Sequence, residues 1–131
     1  MVFVDSNIWI SYLNKNDKFH ARSLMALASI KQSSVIYITS GIVYETINYL
    51  FKLSGKKVSE SCLDFFLASQ QIEIILPADS TWIKTIEIFR KNELSLTDAQ
   101  IVACMQEKGD KEIYSFDRHF DTIKDITRLT R

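Results

Sequence analysis

Four carboxylates in this chain stand where chemistry is easiest to build. Asp5 follows the apolar run Met1-Val2-Phe3-Val4, and Asp117 follows Glu112-Ile113-Tyr114-Ser115-Phe116. An unbroken apolar run such as the first suits a strand covered on both faces, as in a parallel sheet. Glu45 lies just past another such run, Val35-Ile36-Tyr37-Ile38, in the first turn or two of a helix. Asp98 heads the helical series 98, 101, 102, 105 and so shares a face with Ile101, Val102 and Met105. A charged aspartate on a core face is costly unless something satisfies it. Parallel strands joined by helices bring positions of this kind to one edge of a sheet. Bare carboxylates gathered there repel and raise one another's pKa, and a divalent cation restores the balance. All-oxygen ligands suit Mg²⁺ or Mn²⁺ better than zinc. One such ion, or two about 3.5–4 Å apart, can activate water and stabilise the leaving oxygen of a phosphodiester.

Each acid also has a plainer reading. Asp5 could merely cap the helix that Ser6 and Asn7 begin, and Glu45 could be an ordinary solvated residue. Asp98 could be a first-turn acid held by free amides, although Ser95 and Thr97 offer caps without it. His20 has no cysteine or second histidine near it in sequence and reads as a surface or capping residue. Cys62 and Cys104 lack metal-ligand spacing and read as buried thiols in a reducing compartment. The chain offers no Gly-rich phosphate loop and no spacing that supports a Ser-His-Asp grouping.

The elements that must position these groups can be read in order. After the first strand, Ile8, Trp9, Tyr12 and Leu13 repeat at helical spacing, and Asn14-Lys15-Asn16-Asp17 breaks the pattern. Ala21, Leu24, Met25 and Ala28 predict the core stripe of a second helix. Thr39-Ser40 offers an N-cap for a helix with Val43, Ile47, Leu50 and Phe51 as its stripe, ended near Gly55. A further helix carries Val58, Cys62, Phe65, Phe66 and Ser69, so two helices in a row suggest a hairpin insertion. Its surplus leucines, Leu63 and Leu67, and Tyr49 mark the hairpin from about residue 39 to 69 as a candidate partner surface, or else as deeper core. Ile72-Glu73-Ile74-Ile75-Leu76 predicts a third strand stopped by Pro77. Asp79 or Ser80 caps a helix whose expected core face is Trp82, Ile83, Ile86 and Phe89. The Asp98 helix closes at Lys108-Gly109, and Ile126 and Leu129 mark a short last strand at an edge.

A length of 131 residues, 47% apolar and 24% charged with three glycines and one proline, predicts one compact domain over residues 1–131. The longest apolar runs fall short of the ~20 residues a membrane helix needs. The N-terminus lacks a basic leader and carries Asp5, so it is not read as a signal peptide. Sixteen basic residues balance sixteen acidic ones, and for nucleic-acid binding the distribution of charge matters more than this total.

Four segments together resemble a known family: Phe-Val-Asp-Ser-Asn, Tyr-Glu in a helix, Leu-Thr-Asp-Ala-Gln-Ile-Val-Ala, and Tyr-Ser-Phe-Asp-Arg-His-Phe. In that order and spacing they look like a PIN domain, most similar to the short VapC-type toxins. The resemblance spans essentially the whole chain. It implies an α/β fold: a central parallel sheet of about five strands, helices on both faces and a helical hairpin insertion. It further implies a cytoplasmic, metal-dependent ribonuclease with Asp5, Glu45, Asp98 and Asp117 as catalytic acids. Asp5, Asp98 and Asp117 would hold Mg²⁺ or Mn²⁺, with Asn7 and Ser115 as supporting polar residues. A homodimer and a cognate antitoxin covering the active site are the implied partners, with RNA as substrate. Lys52, Lys56, Lys57 and Arg118 are candidate phosphate contacts, as are Lys15, Lys18 and Arg22.

Two other readings compete. A phosphoaspartyl hydrolase usually carries a second acid two residues after the first, where this chain has Asn7. A receiver needs a lysine after a late strand, where this chain has Asp117-Arg118. A non-catalytic interaction module on the same fold would have no need of the intact acidic set.

Overall fold

The computed structural model describes residues 1–129. The chain runs β1 (Val2–Val4), α1 (Ser6–Leu13), α2 (His20–Ala28), β2 (Ile36–Thr39), α3 (Ser40–Ala68) and β3 (Ile72–Ile75). It continues through α4 (Asp79–Lys91), α5 (Leu96–Lys108), β4 (Glu112–Tyr114), a 3₁₀ turn (Arg118–Thr122) and β5 (Thr127–Leu129). All five strands are parallel, in the order β3-β2-β1-β4-β5. Right-handed crossovers then set α1 to α3 on one face and α4 and α5 on the other. The direction of winding reverses at β1, whose neighbours are β2 and β4. The gap beyond the carboxyl ends of β1 and β4 is therefore the topological switch point, where open α/β sheets bind their ligands.

The apolar runs explain this centre. Every residue of β1 is buried, and Phe3, Val4, Ile38 and Ile113 are wholly enclosed. Ile8, Trp9, Ile42, Ile101, Val102 and Met105 close over them from the helices. Caps fix where the helices start. The Thr39 hydroxyl accepts from the Ile42 amide at 3.1 Å, and the Ser95 hydroxyl accepts from the Asp98 amide at 3.1 Å. Gly109, with φ 69°, supplies the left-handed residue that ends α5. Within α3, Gly55 adopts φ 86° and breaks the helix into two arms, which is the expected hairpin.

Several faces differ from expectation. In α2 the buried residues are Ser23 and Ala26, while Leu24 and Met25 are exposed. In α4 they are Thr81 and Thr85, and Trp82, Ile83 and Phe89 stand 52%, 64% and 44% exposed. The reason is close helix packing through small residues. Helix α4 packs chiefly against α5, and the Thr81 hydroxyl donates to Glu107 Oε1 at 2.7 Å. Large apolar side chains would hold the two helices apart, so they point outward. Ala78, not Asp79 or Ser80, occupies the N-cap position of α4. In α3, Ile42, Thr46, Ser59 and Cys62 are buried, whereas Phe51, Val58 and Leu67 are exposed. Both cysteines are free and buried, and no helix among the described residues is long and apolar enough to cross a membrane.

Candidate metal-dependent nuclease centre

Asp5 is the first residue after β1 and the N-cap of α1, so the two readings of it coincide. Its Oδ1 accepts from the Ser6 amide at 2.7 Å. Its Oδ2 accepts from the Ser115 hydroxyl at 2.7 Å and from Asn7 Nδ2 at 3.3 Å. Asn7 Nδ2 also donates to Ser115 Oγ at 3.2 Å, and Asn7 Oδ1 accepts from the Phe116 amide at 3.2 Å. Residues at the end of β1 thus clasp those just beyond β4. Ser115 Oγ, wholly buried, also accepts from the Asp117 amide at 3.0 Å. Asp117 in turn caps the 3₁₀ turn, where the His119 amide donates to its Oδ1 at 2.9 Å.

The other two acids come from helix starts. Glu45, at the surface in the second turn of α3, accepts at Oε1 from the Ser6 hydroxyl at 3.3 Å. Asp98 lies in the first turn of α5, beneath the Ser95 cap. The starts of α3 and α5 come close at Gly41, where a Cβ would stand 3.2 Å from Gln100 Oε1 and 3.3 Å from Thr97 Cγ2. The missing side chain lets the two helix starts, and with them Glu45 and Asp98, share one cleft.

That cleft encloses about 530 Å³ and brings together Asp5, Asn7, Glu45, Asp98 and Asp117. Ser115 lies beneath it, joined to Asp5 and Asn7. Ser6, Glu93, Ser95 and His119 also line it and were not expected there. Ser6 and His119 sit beside expected acids, so adjacency was their only signal; loop residue Glu93 offers no pattern at all. Lys52, Lys56, Lys57 and Arg118 are not in the lining, and Lys56 instead faces Glu60 at 3.9 Å on the exposed hairpin. A larger hollow of about 610 Å³, lined by Met1, Lys31, Glu112 and Arg128 among others, holds none of the four acids.

Burial first, and neighbouring charge second, raises the carboxyls of Asp5 and Asp98 in the cleft. Burial, only partly offset by the Ser115 hydroxyl and Ser6 amide, pushes the Asp5 carboxyl up from 3.8 to about 6, with Glu45 and Asp117 adding to the rise. Burial, followed by the charges of Asp5 and Asp117, pushes Asp98 up from 3.8 to about 7. Burial also raises Glu45, against the Ser6 hydrogen bond. Among the described residues, no three His, Cys, Asp or Glu side chains form a ready-made metal cage. The donor chemistry nevertheless fits a hard divalent cation, because carboxylate oxygens from four acids converge on one polar cleft whose basic neighbour is His119, 2.9 Å from Asp117 Oδ1 through its Nδ1.

Three solved structures share this fold. VapC20 of Mycobacterium tuberculosis, a sarcin-ricin loop cleaving toxin, superposes with a TM-score of 0.80 at 23% identity, over 89% of this chain and 90% of that one. VapBC2 of Rickettsia felis, solved bound to a fragment of its promoter DNA, gives 0.71 at 20% identity, over 98% of each chain. A toxin-antitoxin complex of Klebsiella pneumoniae gives 0.72 at 18% identity, over 97% and 96%. At these identities the likeness is one of fold. No curated protein matches the chain. The PIN domain profile matches residues 2–126, nearly the whole described chain and both strands that carry the cleft, so the chain belongs to the PIN domain family.

Proposed function

We propose that this protein, as one unit over residues 1–131, is a metal-dependent endoribonuclease that hydrolyses RNA phosphodiester bonds. The observation that carries the reading is the convergence of Asp5, Glu45, Asp98 and Asp117 on one cleft at the switch point of the sheet. Asp5, Asp98 and Asp117 are the residues that would hold Mg²⁺ or Mn²⁺. The bound ion would supply Lewis acidity at a phosphoryl oxygen and a more acidic water. The protein's own part is orientation and proton handling. Asn7, Ser6 and Ser115 fix the Asp5 carboxylate from both of its oxygens, so it cannot swing away from the cleft. Glu45, with its raised carboxyl and a hydroxyl partner in Ser6, is suited to take and return a proton at the cleft edge.

In this reading the protein is a cytoplasmic toxin paired with an antitoxin, and forms a homodimer. Two features support partners. An apolar groove of about 330 Å³ runs between Trp9, Tyr12, Leu24, Leu27, Phe65 and Ile72. The outward face of α4 separately exposes Trp82, Ile83 and Phe89. Structural neighbours solved as toxin-antitoxin complexes add to this support. The test is cleavage of a structured RNA in Mg²⁺ or Mn²⁺, with and without excess chelator. A non-catalytic interaction module, which the same apolar faces would serve, would not cleave in Mn²⁺.

A further inference from the structure

The acidic cleft can hold a metal, but an RNA strand needs cations and flat surfaces beside it. The polar loop between α1 and α2 supplies both. Asp17 Oδ1 accepts from the Ser11 hydroxyl at 3.1 Å and from the Phe19 amide at 2.8 Å. The Asn16 amide donates to Asn14 Oδ1 at 3.1 Å, and His20 Nδ1 lies 2.8 Å from the Ser11 carbonyl oxygen. These bonds tie the loop down on α1 and use the one acid within it. They also fix the half-buried Phe19, whose ring lies 5.3 Å from that of Phe116 at a tilt of 40°. The Arg22 guanidinium lies 4.8 Å from the Phe116 ring centre and 5.5 Å from that of Phe19. The Lys18 ammonium stands 5.0 Å from the Phe19 ring.

This group meets the cleft through the backbone of Phe116, and its four side chains lie outside the cleft lining. Phe116 sits between Ser115 and Asp117, and its amide is held by Asn7, a cleft-lining residue. We propose that Phe19, Phe116, Arg22 and Lys18 form a stacking platform that holds bases and backbone of single-stranded RNA beside the scissile phosphate. Aromatic rings and guanidinium planes are the surfaces on which unpaired bases stack, whatever their sequence. Lys18, which is exposed, supplies charge that the acidic cleft cannot offer a phosphate backbone. The hairpin lysines Lys52, Lys56 and Lys57 have no aromatic partner of this kind among the described contacts. The proposal deepens the ribonuclease reading and rests on it for the substrate class.

The test measures binding apart from turnover. Fluorescence anisotropy with a short labelled single-stranded RNA is run in Mg²⁺ on Asp98→Asn protein, alone and with Phe19→Leu, Phe19→Tyr or Lys18→Gln added. Phe19→Leu should weaken binding about tenfold, within the range that one stacked base supplies, and Phe19→Tyr should restore it. Lys18→Gln, at an exposed position whose loss does not threaten folding, should lower the salt dependence of log K by about 0.7. Removing single bases from the RNA provides the decisive readout. At least one abasic position should weaken binding to the parent protein and cost nothing in Phe19→Leu, a coupling that a merely structural Phe19 would not produce. Unchanged affinity in both Phe19→Leu and Lys18→Gln overturns the platform, even if the wild-type protein cleaves RNA normally. RNA bound through Phe19 by a wild-type protein that never cleaves would keep the platform and sink the nuclease reading. No RNA binding at all overturns both.

Discussion

Replacing Asp98 by asparagine separates what this acid does for the fold from what it does for the metal. The helix cap at this position belongs to Ser95, whose hydroxyl takes the Asp98 backbone amide. Asparagine keeps that amide, fills nearly the same volume and removes only the charge. The carboxyl is pushed up from 3.8 to about 7, first by burial and then by the charges of Asp5 and Asp117. Because the folded value lies above the unfolded one, the folded state binds the extra proton. Its contribution to stability is fully present below about pH 4 and is lost as pH rises through about 7. A shift of that size corresponds to roughly 4 kcal/mol for an isolated, fully buried group. Asp98 is only partly buried and shares its repulsion with Asp5, so the relief on neutralising it should be about 1–2 kcal/mol. Metal-free Asp98→Asn should therefore melt about 4 °C above wild type at pH 8, by less than half as much at pH 5, and close to wild type below about pH 4. With Mn²⁺ the order should reverse, since wild type gains stability by binding the ion and the variant gains less. Cleavage should fall by orders of magnitude. Thermal melts at these pH values, with and without Mn²⁺, run beside a cleavage assay, measure all of this. A variant destabilised at pH 8 and at pH 5 yet still active would refute the placement of the site.

Ser115→Ala should cost about 1–3 kcal/mol, because it strips hydrogen-bond partners from Asp5, Asn7 and the Asp117 amide inside the protein. Cleavage should drop with it, and chemical denaturation beside a rate measurement would show both; unchanged stability would mean the clasp is unimportant. On the proposed homodimer reading with α4 as the interface, joint Trp82→Glu and Ile83→Glu substitution should leave monomer stability within about 0.5 kcal/mol and convert the dimer to monomer. Light scattering decides it, and a dimer that persists would place the interface elsewhere.

Much of the fold was legible because buried parallel strands advertise themselves as unbroken apolar runs. Val2–Val4, Ile36–Thr39 and Ile72–Ile75 needed no tertiary information. The four acids were legible for a related reason, since each lies at a strand end or helix start that the periodicity already marks. Helix faces were harder to read. The stripe 21, 24, 25, 28 and the stripe 82, 83, 86, 89 are amphipathic, but periodicity does not say whether such a stripe meets the chain's own core or a partner. Here Ser23 and Ala26, and Thr81 and Thr85, are small enough to pack inward, leaving the larger residues outside. Ser6 was legible only as a helix-start residue beside Asp5, and Glu93 carried no pattern, because their place in the cleft depends on how other segments fold over them. The Phe19–Phe116 pair lay beyond any local pattern, as it joins residues 97 positions apart in sequence.

The most direct test of the central claim is an RNA cleavage assay titrated with metal. Purified protein is freed of metal with excess chelator, assayed on a structured RNA, and assayed again as Mn²⁺ is restored. The four-carboxylate cleft predicts no cleavage in chelator and recovery that saturates with Mn²⁺, with Asp5→Asn and Asp117→Asn inactive at every metal concentration. Full cleavage by the wild-type protein in excess chelator would contradict it.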